Sequence, residues 1–278
     1  MVQNDERSFG ASILVQQRTR RYTLDEIAPQ DDGNKTKTEK GTCMEIEIKN
    51  LFRAQYGVPN GMQLTDEGLW IADQVTDRCA LMEMGEADPD YGVAKLIREI
   101  PSESSNTSGL TYGEGLLWFA ANGTGSRWRT VRSTDAEKGD VLGVDPKTGE
   151  TKRREKIPDG GGTHGIEYDA FDPGTLWLTT LKSQTSTQVK ISDWSILRTV
   201  NLPLSRAHGV IRVEDGLWVI HTGDRVIVKL NIETSEEMDR ILVPEPHPEP
   251  HGLTKLTDTT WAYCDASSGW VAEIKLKG

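Results

Sequence analysis

Three of the chain's five histidines stand directly before a glycine, as His164-Gly165, His208-Gly209 and His251-Gly252, at intervals of 44 and 43 residues. One residue type recurring at a near-constant interval marks a position in a structural repeat, and repeats arranged in a ring bring equivalent positions to one place. Three neutral imidazoles meeting there could hold Zn, Fe or Cu and leave an open position to activate water or polarise a carbonyl. The plainer reading is that each His-Gly pair is a turn of the fold, its imidazole capping a neighbouring carbonyl. Asn60 and Ser108 occupy the same place in two earlier copies.

A second set of candidates closes the strand that follows: Asp73, Asn122, Thr180, His221 and Asp265. Asp73 and Asp265 come from the first and last copies, which adjoin in a closed ring. There they could hold a hard cation such as Mg or Ca, or serve as solvated turn residues. Glu249 lies two residues before His251 and could act as a ligand, a general base or a partner that orients an imidazole. The loop 122–139, NGTGSRWRTVRSTDAEKG, carries Arg127, Trp128, Arg129 and Arg132. A cationic, aromatic lid suits a small anionic or carbonyl-bearing ligand. Expected substrate contacts are therefore Asn60, Asn122, Arg127, Trp128, Arg129 and His221; expected metal ligands are His164, His208, His251, Asp73 and Asp265.

The elements that must position these residues are legible as repeats. PNGMQLTDEGLWIAD, SGLTYGEGLLWFAAN, HGIEYDAFDPGTLWLTT, HGVIRVEDGLWVIHT and HGLTKLTDTTWAYCD share a polar residue, a glycine, an apolar strand, a turn and a strand with Trp. The glycines are Gly61, Gly109, Gly165, Gly209 and Gly252. Trp70, Trp118, Trp218 and Trp261 follow theirs by nine residues; Trp177 follows by twelve because AFDPG lengthens its turn. Two further strand-like stretches complete most copies, as in RVIVKLN with EEMDRILV. Four antiparallel strands per unit of about 45 residues describe the blades of an all-β propeller. Five blades are visible. The last has three strands before Gly278, and MEIEIKNLF at 44–52 is expected to supply its fourth. The predicted organisation is an N-terminal extension over 1–43, partly disordered, and a propeller over 44–278. A sixth blade recruiting ASILVQQRTRRYTLDEI is the alternative.

Composition narrows the partners. The net charge of −11 repels phosphate backbones, so nucleic acid is not expected. No apolar run approaches the roughly 18 residues of a membrane span, and MVQNDERSFG does not read as a leader. Cys43, Cys79 and Cys264 are odd in number and widely spaced, which points to a reducing compartment and a cytoplasmic location. There is no GxSxG elbow, P-loop or dinucleotide glycine motif.

Across residues 59–275 the repeats resemble the virginiamycin B lyase family. Glu249-Pro250-His251-Gly252 matches that family's E-P-H-G stretch, and His208-Gly209 its histidine one blade earlier. That family has seven blades, and its late strand-end glutamate is replaced here by Cys264 or Asp265. Pro59-Asn60-Gly61 and Leu69-Trp70-Ile71-Ala72-Asp73 resemble gluconolactonase and senescence-marker propellers, without their early E-G-P motif. GLTYGEGLLW is similar in style to glutaminyl cyclotransferase-like propellers. The lyase resemblance implies a divalent metal and a carbon–oxygen lyase acting on a small ester, lactone or carbonyl-bearing substrate. His208, His251 and Glu249 would then be its catalytic groups. A lactonase-type hydrolase and a non-enzymatic binding scaffold are the alternatives.

Overall fold

A computed structural model describes residues 44–277. The expectations for the segment 1–43, Cys43 included, lie outside the described residues. Five four-stranded antiparallel sheets make up the fold. The first holds β2 (Pro59–Thr65), β3 (Gly68–Asp73), β4 (Arg78–Met82) and β5 (Leu96–Pro101); the second β6 (Thr107–Gly113), β7 (Leu116–Ala121), β8 (Asp140–Val144) and β9 (Thr151–Lys156). The third holds β10 (Thr163–Tyr168), β11 (Thr175–Thr180), β12 (Thr185–Lys190) and β13 (Ile196–Asn201); the fourth β14 (Ala207–Val213), β15 (Gly216–His221), β16 (Val226–Leu230) and β17 (Glu237–Leu242). The fifth runs β18 (Leu253–Lys255), β19 (Thr260–Cys264), β20 (Trp270–Leu276) and then β1 (Ile46–Arg53). The expected five-blade ring is thus the observed one.

Each blade is graded from axis to rim by its sequence. Second and third strands such as LWFAA and VIVKL are apolar and buried on both faces. Outermost strands alternate, as in TKRREK, so the exposed edge carries charges that discourage edge pairing. The outer hairpins turn on Asx contacts: Asp145 Oδ1 accepts from the amides of Lys147 and Thr148, and Asn231 Oδ1 from those of Glu233 and Thr234. The five repeat tryptophans are buried between blades, and Trp218 meets Trp261 edge-on at 5.1 Å. Trp128, Trp194 and Trp270 are only partly buried.

The innermost strands β2, β6, β10, β14 and β18 neighbour one another around the axis. Their repeat glycines form a constriction. A Cβ on Gly109 would collide with His164 O, and one on Gly165 with His208 O. The space inside this ring is only about 10 Å³, enough for roughly one water. The channel is therefore sealed below the mouth, and a ligand there enters and leaves by the same side.

Candidate active site

Four of the five ring residues sit on a local irregularity of their strand, and the fifth, His251, precedes β18. The β2–β3, β6–β7, β10–β11 and β14–β15 ladders all shift register where Asn60, Ser108, His164 and His208 fall. A bulge breaks the strict alternation of side chains and re-aims one of them. Asn60, His164 and His208 line the mouth, whereas Ser108, its Oγ donating to Asn106 O at 3.2 Å, lies with the glycines of the constriction. His164 and His208 stack with ring centroids 4.1 Å apart, and His208 meets His251 edge-on at 5.0 Å.

The hydrogen bonds fix how the imidazoles can act. Asn122 Nδ2 can only donate, so His164 Nε2, 2.6 Å away, accepts, and His164 Nδ1 carries the proton facing Ala207 O at 3.2 Å. Thr222 Oγ1 has one hydrogen, which it gives to Pro250 O at 2.8 Å; it therefore accepts from His208 Nδ1, 2.8 Å away. Arg206 O lies 2.9 Å from the same Nδ1. His208 Nε2 is left as an unshared lone pair facing the mouth. His251 Nδ1 lies 3.2 Å from Glu249 O, and its Nε2 3.7 Å from Glu249 Oε2. Burial lowers the proton affinity of all three: His164 to about 4, His208 well below the ordinary imidazole value with help from its two neighbours, and His251 downward against the pull of the Glu249 carbonyl and carboxylate. At neutral pH the cluster is uncharged. Nδ1 of His164 and of His208 faces a backbone carbonyl, His251 Nδ1 lies between Glu249 O and the amide of Ala266, which donates to it at 3.4 Å, and all three rings line the mouth.

His164 and His208 do not join His251 in a close group of ligand atoms. Stacked rings direct their lone pairs side by side, and His164 Nε2 is already engaged by Asn122. Among the described residues, the group whose ligand atoms all lie within 4.8 Å of one another is Glu249, His251 and Asp265. Two carboxylates and an imidazole form a donor set that can bind a divalent metal ion. Asp265 accepts from Glu249 N, Ser267 N and Ser268 Oγ, at 3.1, 2.7 and 2.6 Å. A carboxylate offers about four lone-pair sites, so one stays open. Asp73 makes the same kind of turn in the first blade, accepting from the amides of Val58, Val75 and Thr76, and is not part of the group. The triad separates two spaces. His251 lines the mouth, whereas Glu249 and Asp265 line a side cavity of about 560 Å³ with Arg225 and Trp270.

The mouth cavity itself is about 290 Å³. Asn60, Asn122, Arg127 and Trp128 line it. His221 does not: it is fully buried, with Nδ1 facing Ser205 O at 3.2 Å. Nor does Arg129. Its Nε donates to Asp77 at 2.7 Å, and its two terminal nitrogens to Asp135 at 2.8 and 2.7 Å. The Asp135 carboxyl is thereby held at about 2, well below the usual range. This network, joined by Arg132, anchors the loop that presents Arg127 and Trp128. Gln74, Asn106 and Arg206 also line the mouth, and sequence reasoning missed them. Asn106 and Arg206 share a signal: each precedes a ring residue by two positions and takes a positive φ, 52° and 51°. Both side chains line the mouth.

No family model matches the chain, and no curated protein matches it. Among solved structures it is similar to glutaminyl cyclase of Myxococcus xanthus, with a TM-score of 0.64 and 9% identity over 86% of this chain and 99% of that one. A streptogramin B lyase gives a TM-score of 0.50 and 13% identity over 84% and 98% of the two chains. The virginiamycin B lyase of Staphylococcus aureus gives 0.48 and 14% over 84% and 100%. At these identities the likeness is one of fold, a propeller shared with lyase and cyclase enzymes.

Proposed function

We propose that the mouth is the active centre of a metal-assisted carbon–oxygen lyase acting on a small ester, lactone or related carbonyl compound. The observation that carries this reading is the state of His208. Its imidazole is neutral, held at Nδ1 by Thr222 and Arg206 O, and presents Nε2 to the cavity. A neutral, oriented imidazole is a general base. It stands against His251, the member of the carboxylate–imidazole triad that faces the same cavity. Glu249, His251 and Asp265 would hold a divalent ion, which supplies Lewis acidity toward a carbonyl oxygen.

Nε2 of His208 takes the proton α to the carbonyl. The C–H electron pair becomes the new C=C bond, and the β C–O bond breaks with its pair on the departing oxygen. Thr222 keeps the ring oriented, and Asn122 keeps His164 from competing for the proton. The sealed channel floor confines the substrate to the mouth. The likeness to lyase and cyclase folds is consistent with this reading and does not carry it.

A screen of small esters and lactones in H₂¹⁸O tests it. The expected product is unsaturated and free of ¹⁸O. His208→Asn should stay folded and lose at least 100-fold in turnover, since general bases typically contribute 10²–10⁴-fold. Glu249→Gln should weaken binding of Mg²⁺ or Mn²⁺ measured by calorimetry. Label in the product would make the protein a lactonase-type hydrolase, and undiminished turnover in His208→Asn would remove the base.

A further inference from the structure

We infer that the mouth selects a small organic acid, whose carboxylate is gripped by Arg206 and Arg127. This deepens the proposed function by naming the substrate class of that site, and rests on it for the site's identity.

The chain carries a net charge of −11, yet no aspartate or glutamate lines the mouth cavity. The two charged side chains that do are arginines. Neither pairs with a carboxylate among the described residues. Most other arginines are partnered by acids, as Arg98 is by Glu67, Arg154 by Glu103 and Asp140, and Arg212 by Asp169. Arg225 is held by the carbonyls of Val243, His247 and Pro248, and Arg53 by Ser268 O and the Trp270 face. On so acidic a protein, two guanidinium groups left without counter-ions above one small cavity form a local anion site. The planar fork of arginine matches a carboxylate.

The placement is directed. Arg127 reaches the rim from the anchored second-blade loop and lies 5.7 Å from the Trp128 ring. Arg206 belongs to the fourth blade, and its own carbonyl faces His208 Nδ1. One residue thus sets both the base and an anion contact, which fixes where an acid's carbon chain would lie relative to Nε2. Asn60 lines the same cavity, is 2% exposed, and has an Oδ1 without a donor in the protein. It asks for a polar occupant. About 290 Å³ sits at the lower edge of ligand pockets, so the acid is small.

The test compares lactate and 3-hydroxybutyrate with lactamide and methyl 3-hydroxybutyrate, by calorimetry at low salt and by the imidazole NMR signals. The acids should bind at least tenfold tighter than their neutral counterparts, weaken as salt rises, and shift the mouth imidazoles. Arg206→Gln should erase that preference and Arg206→Lys recover part of it. Arg127→Gln, on an exposed loop residue, should reduce it independently. Neutral compounds binding as well as the acids would overturn the inference, as would inorganic phosphate binding as tightly, or no binding at all. Turnover of neutral esters by a protein indifferent to acids would end this inference and leave the lyase standing. Acid binding that depends on Arg206, with no product and no effect of His208→Asn, would end the lyase and leave the anion site.

Discussion

Single residues in the mouth divide into those that face the cavity and those that hold others in place. Arg127 and Arg129 are two positions apart, yet one overhangs the ligand space and the other lies between two carboxylates whose side chains are almost fully buried. Removing one partner of a buried ion pair leaves uncompensated charge, an effect of about 3–5 kcal/mol when burial is complete. Arg129 is partly exposed, so water screens some of that. Arg129→Ala should therefore lower unfolding free energy by about 2 kcal/mol in a urea titration. Arg127→Ala should stay within about 0.5 kcal/mol of the parent, as is usual for surface positions. Equal effects of the two would show that the loop is not tied down by the Asp77–Arg129–Asp135 network.

At the scale of elements, closure of the ring is the decisive event. β1 pairs with β20 from Ile46↔Leu276 to Arg53↔Trp270, and buries Phe52 in the core shared by the first and fifth blades. A chain starting after residue 53 would expose the β20 edge and that core face together. It should fail to give a cooperative thermal transition, whereas a chain starting at residue 44 keeps every described strand and should retain one. A cooperative transition in the shorter chain would show that four and three-quarter blades suffice. This closure was legible in the sequence because MEIEIKNLF alternates and the last repeat lacks a strand. So were the ring positions, since the His-Gly and Asn-Gly pairs recur with the Trp strands. What composition and spacing did not reveal was direction. His221 and Asp73 end equivalent strands beside the mouth, yet the side chain of one is buried against Ser205 O, and the other caps three amides away from the Glu249–His251–Asp265 group. Arg206 escaped notice because it lines the mouth from outside the repeat pattern, two residues before its ring histidine.

The five blades of the described residues form a ring that narrows at the repeat glycines, and titratable groups on its two sides are shifted in opposite directions. On the mouth side, buried imidazoles are kept neutral. On the other, Glu167 stands two residues beyond Gly165 on β10. Thr111 Oγ1 lies 2.9 Å from Gln63 Oε1 and 3.4 Å from the Glu167 carboxyl, so three neighbouring inner strands meet there. Burial pushes the Glu167 carboxyl up to about 8; the charge on Asp169 adds to this, while hydrogen bonds from Thr111 and the Arg212 backbone and the Lys255 charge oppose it. The unfolded chain releases this proton near 4.5, the folded chain only near 8. Between those values the native state binds more protons, so stability falls as pH rises, and the loss is complete above about 8. The glutamine of Glu167→Gln is a neutral near-isostere without that titration. The melting temperature of the variant relative to the parent should accordingly climb from pH 5 to pH 8 and level off beyond. A constant difference across that range would mean that Glu167 ionises normally in the folded protein.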